Sequence, residues 1–288
     1  MPSSRSLLAR VQRAVGRVRE VTDHPVLTQV ARVGLVAYGA MHLLIGWLAV
    51  RLAWGDRDVD ADQTGALRTV ADGPGGPGML WVIGLGLLAL ALWQAGEVLR
   101  WLAGLFDPEH RGGALLVVAR CLAKATVYAV LGGTALLFGA GQGYQADERM
   151  REVTDDALGI PWGGVLVGAV AAGVLAVGVY SLVRGCTGGF MKDIDLPAAP
   201  DRWEPLIETL GRVGYVAKGV AFGLVGVLLW RAATSADVST ATGLHGALAA
   251  IGGVTAGPWL LTAVAAGFAA FGVYALARAR YPDRDPSS

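Results

Sequence analysis

Long uncharged runs, separated by short charged segments, constrain this chain more than any other feature. Residues 33–50, 79–96, 125–146, 157–183 and 238–277 contain no Asp, Glu, Lys or Arg, and residues 213–230 contain only Lys218. A helix needs ~20 apolar residues to cross ~30 Å of hydrocarbon, and these runs meet or approach that length. The last is too long for one helix, and Gly257-Pro258 is a natural place to divide it, with a sixth span over 258–277. Six spans result. The runs lack the alternation of barrel strands, and lipid leaves helices as the remaining way to satisfy the backbone. The expected fold is therefore all-α, an integral membrane six-helix bundle.

Composition agrees. The chain is 54% hydrophobic and 16% charged, and 42 of its 288 residues are glycine. Small residues allow membrane helices to approach closely. Gly164-xxx-Gly168 and Gly219-xxx-Gly223 each place a small-residue stripe on one helix face.

Charge sets the orientation, because Lys and Arg are retained on the cytoplasmic side. The N-terminal segment, the connections after spans two and four, and the C-terminus hold eighteen basic residues and twelve acids, a net +6. The other three loops hold six basic residues and eleven acids, a net −5. Both termini should thus face the cytoplasm, in the cytoplasmic (inner) membrane. Residues 1–30 carry Leu7, Leu8, Val11, Val15 and Val18 at helical spacing among arginines. That pattern suits a basic amphipathic helix on an anionic leaflet; a basic tail that only enforces topology is the alternative. Cys121 and Cys186 fall near the cytoplasmic face with no CxxC spacing, which argues against a disulfide or a metal site.

The chain also repeats itself. Arg32-Val33-Gly34-Leu35-Val36-Ala37-Tyr38-Gly39 corresponds to Arg212-Val213-Gly214-Tyr215-Val216-Ala217-Lys218-Gly219 at an offset of 180. Ala119 to Ala125 supplies a middle copy containing Lys124. Gly65-Ala66-Leu67 matches Gly246-Ala247-Leu248, and Gly76-Pro77 matches Gly257-Pro258, both offset by 181. Trp93, Tyr180 and Tyr274 share one equivalent position. Each unit reads as a helix, an outer loop with a short amphipathic segment, and a return helix. The boundaries are 31–108, 109–200 and 201–281 for the three pseudo-symmetric hairpins, flanked by the basic segment 1–30 and a polar tail 282–288.

With these motifs the chain resembles the bacterial membrane proteins grouped as domain of unknown function 1206. The resemblance rests on the repeated helix openings, on the outer Thr64-Gly65-Ala66-Leu67 and Gly246-Ala247-Leu248 segments, and on Phe190-Met191-Lys192-Asp193-Ile194. It covers residues 31–281 and implies three hairpins. It assigns no activity and no functional residues.

Ionisable residues inside a bilayer are functional candidates by default. His42 lies ten residues beyond Arg32, ~15 Å along the helix and near the midplane. One reading is a neutral histidine packed between helices, with a ring N–H on a carbonyl or tyrosine; the other is a proton relay or ligand contact. Glu97, Arg184 and Arg278 fall at equivalent places in the three units, with Gln94 one turn deeper than Glu97. Lys124 and Lys218 enter from the facing helix ends, ~6–9 Å in. These groups read as an ion-pair network closing the bundle, with the lysines snorkelling to the interface. A cytoplasmic anion or lipid-headgroup site built on Lys124, Arg184, Lys218 and Arg278, or a gate, are the alternatives. Asp56, Asp58, Asp60 and Asp62 alternate like a calcium loop but lack its glycine and distal glutamate, so a solvated outer loop is expected. His24, His110 and His245 sit in loops on different sides and cannot share a metal.

No enzyme signature accompanies these residues: there is no GxSxG, HExxH, GxxxxGK or GxGxxG opening a βαβ unit. The expectation is a non-enzymatic, cofactor-free membrane component that scaffolds, assists or binds lipid. Its expected partners are the bilayer, anionic lipid at the cytoplasmic face and another membrane protein, not nucleic acid. A small transporter or channel with a path past His42 and Glu97 is the alternative.

Overall fold

The computed structural model describes residues 25–56, 58–102, 111–194, 201–235 and 237–281. The basic segment before residue 25, the polar tail, His24 and His110 lie outside the described residues. Among those described, nine α-helices form and no β-strand does. Six are long: α1 (Pro25–Ala53), α3 (Gly76–Leu102), α4 (Arg111–Gly139), α6 (Gly163–Thr187), α7 (Glu204–Ser235) and α9 (Gly257–Arg280). Three shorter connector helices, α2 (Gln63–Ala71), α5 (Ala146–Leu158) and α8 (Leu244–Gly252), sit inside the three hairpins. Each long helix contains a stretch long and apolar enough to cross a bilayer. The fold is a three-hairpin, six-span helical one.

Helix ends follow local chemistry. The chain does divide at Gly257-Pro258, where proline takes the second position of α9 and loses no needed N–H. The third apolar run ends earlier than residue 146, because Gly141 adopts φ +77° and turns the chain toward α5. The fourth begins as a helix only at Gly163, after the Gly159–Trp162 turn.

The described residues form two compact units, one drawn from 25–37 and 77–140 and the other from 38–76 and 141–281. These units cut across the sequence repeats, because helix contact is decided by where backbones can meet. In the first unit, Gly34 lies against Gly86, and Gly84 against Gly132 and Leu136. In the second, Gly39 faces Gly272, Gly178 nests against Gly219 and Gly223, and Gly214 meets the backbone of Phe271. A methyl group on Gly178 would stand 2.8 Å from the backbone nitrogen of Gly223, closer than side chains tolerate. The Gly219-xxx-Gly223 stripe is thus a helix crossing between α6 and α7. Gly164 and Gly168 meet only ordinary contacts with Ala233 and Trp230.

The connector helices of the second unit are laced together. Asp62 caps α2, its Oδ1 accepting from the Gly65 N–H at 2.9 Å and the Thr64 hydroxyl at 2.7 Å. At the repeat-equivalent position α8 has Gly243, which carries no side chain to cap with. Asp147 of α5 instead holds the chain just before α8, accepting from the Gly243 N–H at 2.8 Å and the Thr242 hydroxyl at 2.9 Å. The Ala61 N–H donates to His245 Nδ1 at 3.0 Å. The run Asp56 to Asp62 is therefore not a uniformly solvated loop. Asp56 pairs with Arg51 and Asp60 with Arg68, while Asp62 is 1% exposed because its cap duty draws it inward.

Close crossings make a sharp contrast in substitution. Gly214→Ala must push its methyl into Phe271 of α9, 2.6 Å from that residue's Cα. Overpacking of this kind costs about 1–3 kcal/mol. Gly173→Ala meets nothing within 4 Å and gains up to about 1 kcal/mol of helix propensity. Thermal unfolding in detergent or nanodiscs should show a lower midpoint for the first and an unchanged or raised one for the second.

Candidate functional site

The polar cluster of the second unit begins where α6 stops. Gly188 takes φ +71° and ends the helix, which folds the next residues back over it. The Met191 N–H donates to the Gly188 carbonyl at 3.0 Å, and a 3-10 turn runs over Met191–Asp193. This return buries Phe190 completely and presents Asp193 to Arg184. Phe190 stacks on Tyr215 at 5.3 Å and meets Tyr274 edge-on at 5.2 Å. The Tyr274 hydroxyl donates to the Phe190 carbonyl at 3.0 Å, so an otherwise costly buried carbonyl is satisfied.

Around this turn the cationic groups find their partner. Arg184 Nη2 lies 2.6 Å from Asp193 Oδ2, and Arg278 Nη1 lies 3.6 Å from the same oxygen. Arg184 also donates to the Tyr180 hydroxyl at 2.7 Å, and its guanidinium lies 5.3 Å from the ring of Tyr215. Arg184 and Asp193 are buried, with side chains 6% and 8% exposed. One carboxylate thus serves two guanidiniums, and α6, α9 and the turn after α6 are bound together by charge.

Deeper lies a second cluster. Lys218 of α7 is buried and does not reach for the interface. Its Nζ donates to the Tyr38 hydroxyl of α1 at 2.8 Å and lies 3.9 Å from the Phe271 ring centroid, with Tyr38 and Phe222 completing an aromatic surround. The expectation of snorkelling fails for this lysine because Tyr38 and the ring faces of the core already receive its amine. Tyr38 and Lys218 hold equivalent positions in the first and third repeats. His42 is 5% exposed, four residues along α1. Its Nδ1 lies 2.8 Å from the Tyr38 carbonyl, which can only accept, so Nδ1 carries the proton. The imidazole packs against Tyr38, Phe268 and Phe271, with centroids 4.4 to 6.0 Å apart.

The remaining sequence candidates belong to the first unit. Glu97 is buried on α3, where it forms an ion pair with Arg100 and accepts from Trp93 Nε1 at 3.3 Å. Gln94 and Lys124 are half-buried on α3 and α4. Arg184 and Arg278 therefore do meet, but over Asp193, a residue the pseudo-symmetry argument did not reach. The signal for it was present in Phe190-Met191-Lys192-Asp193-Ile194 after Gly188-Gly189. An apolar–basic–acid–apolar return directly behind a glycine pair brings an acid back toward the helix it has just left.

These features define a polytopic helical membrane protein whose described interior polar side chains are engaged by other groups of the chain. The chain belongs to the family described as Domain of Unknown Function (DUF1206), which matches at residues 33–105, 119–188 and 213–282, one copy per hairpin. YxxB, an uncharacterized protein of Bacillus subtilis (strain 168), is 29% identical over 279 residues, 95% of this chain and 98% of its own length. No solved structure matches the chain.

Two consequences follow from the pairing. Asp193→Ala leaves the buried Arg184 guanidinium without its counter-ion, a loss of about 3–5 kcal/mol. Adding Arg184→Met to that variant removes the stranded charge and should restore most of the unfolding midpoint. At the deeper cluster, Tyr38→Phe strands the Lys218 amine, whereas Lys218→Met leaves an apolar chain of similar size among aromatic rings. The tyrosine variant should therefore melt lower than the lysine variant, by about the 1–3 kcal/mol cost of an unsatisfied buried donor.

Proposed function

We propose that this is a non-catalytic component of the cytoplasmic membrane, a scaffold or accessory protein that engages anionic lipid and another membrane protein, with both termini in the cytoplasm. The observation that carries the reading is that the interior polar groups are engaged by other groups of the chain. Arg184 and Arg278 are held by Asp193, Lys218 by Tyr38, and His42 by a carbonyl of its own helix. Groups committed to one another rigidify a bundle and leave little capacity for turnover of a substrate. The outward surface also favours docking. In the apolar stretches of α4 and α6 only 22% of residues are buried, against 56% in α1, so these helices offer broad flanks to lipid or to a partner.

Anionic lipid is the expected small partner. Basic residues outnumber acids on the terminal side by six, and such segments gain about 1 kcal/mol per Lys or Arg near an anionic leaflet. Arg278 keeps a quarter of its side chain exposed beside Asp193, which suits a phosphate oxygen at the helix end.

A second reading, transport of a small solute or ion, draws on one observation: Lys218, Tyr38 and His42 form a polar cluster among the buried rings of Phe268 and Phe271. Flux measurements on proteoliposomes separate the two. The scaffold reading expects no proton or solute flux above empty liposomes for wild type or for His42→Phe. Flux in wild type that is lost in His42→Phe would replace it with the transport reading. Binding to vesicles containing anionic lipid should exceed binding to neutral vesicles and weaken with salt.

A further inference from the structure

The connector layer of the second unit contains a bond that only one protonation state of a histidine can make. His245 Nδ1 lies 3.0 Å from the Ala61 backbone nitrogen, and a backbone N–H can only donate. Nδ1 is therefore the bare nitrogen, the ring is neutral, and its proton sits on Nε2. An imidazolium has a proton on both nitrogens and no lone pair to offer. Ala61 is fully buried, so its N–H has no ready access to water as a substitute acceptor. The bond joins residues 184 positions apart and connects the first repeat to the third.

We propose that His245 is a proton-operated latch of the connector layer. Neutral, it holds the residue before the α2 cap and ties α2 to α8; protonated, it releases Ala61, and the start of α2 separates from α8 while Asp62 stays on α2 and Asp147 stays on Gly243. Histidine is the side chain whose charge changes in mildly acidic media. The latch thus makes the connector layer responsive to the acidity of the medium it faces. This inference is independent of the scaffold reading.

The charged groups around the latch come from each neighbouring element. The first repeat contributes Asp60, paired with Arg68, and the buried Asp62. From α5 comes Asp147, bound to Thr242 and Gly243, with Glu148, Arg149, Arg151 and Glu152 exposed further along. The end of α7 carries Arg231, whose charge acts on Asp237, and α9 has no ionisable side chain before Tyr274. The carboxylates act in the opposite sense to the latch. Burial pushes the Asp62 carboxyl above its usual range; the Gly65 N–H and Thr64 hydroxyl lower it again in part, and the nearby Asp147 and Asp60 charges raise it. A carboxyl raised in the folded state favours folding when protonated, and that contribution fades as pH rises through its titration. Acidification should therefore tighten the layer through Asp62 and loosen it through His245, so the sign of the response identifies the group.

Hydrogen–deuterium exchange of the full chain in nanodiscs, read between about pH 7.5 and pH 5 and corrected for intrinsic rates, tests the latch. In wild type, peptides covering residues 58–67 and 241–248 should exchange at least about tenfold faster at the acid end, as expected for loss of a buried partner. His245→Asn places an amide oxygen near the Nδ1 position and cannot titrate, so protection should persist at both pH values. His245→Phe should be open at both. Wild-type protection that is constant or rises on acidification, or an Asn variant that opens as wild type does, overturns the proposal. The wild-type and Asn comparison decides the matter even if the Phe variant fails to fold.

Discussion

Hydrocarbon gives helices no reward for hiding apolar side chains from one another, since lipid tails are as apolar as leucine. Cohesion must then come from the closeness of backbones and from the polar groups that helices share. Everything else in this protein depends on that constraint. Glycine stands where the long helices cross, at Gly34 and Gly86 in one unit and at Gly39, Gly178, Gly214 and Gly272 in the other. At those crossings one added methyl has nowhere to go. Away from them, at Gly113, Gly133 and Gly173, the same residue meets no neighbour. Glycine abundance alone therefore does not locate an interface; the partner backbone does.

The polar interior obeys the second half of the constraint. A charge in hydrocarbon persists only with a partner at hand. Arg184 illustrates how such a partner is recruited from close range. The left-handed Gly188 stops α6, and the short return that follows delivers Asp193 to the guanidinium while Phe190 fills the space between Tyr215 and Tyr274. The aromatic packing and the ion pair are two results of one turn. Disturbing either displaces the other, because Phe190 and Asp193 are only three residues apart.

The spans, the cut before Pro258 and the threefold repetition were all legible in the sequence, because bilayer length and repeat offset are one-dimensional properties. The helix-embedded connector segments were legible for the same reason. What escaped was direction. Lys218 carries the same letter whether it snorkels outward or turns toward Tyr38, and only the position of a neighbouring helix decides. Asp193 escaped because its partner lies across a tight reversal rather than one turn away along a helix. Asp62 looked like one acid among four in an outer loop, yet it alone is drawn inside as a cap. His245 looked like an isolated loop histidine because the Ala61 donor belongs to a different repeat. Patterns along the chain locate elements, whereas side-chain partners depend on three-dimensional placement.

The departures from symmetry are where the repeats bond to one another. Two identical lysines at the position shared by residues 38 and 218 would repel, but a tyrosine and a lysine there make a donor–acceptor pair across α1 and α7. At the connector layer, Asp62 caps its own helix, while its counterpart Gly243 has no side chain and gives its N–H to Asp147 of the middle repeat. A second carboxylate at residue 243 would crowd Asp62 and Asp147, whose charges already act on each other. Equivalence builds three similar hairpins; complementary differences at equivalent positions join them. A single chain can carry such differences at equivalent positions, whereas three copies of one hairpin cannot.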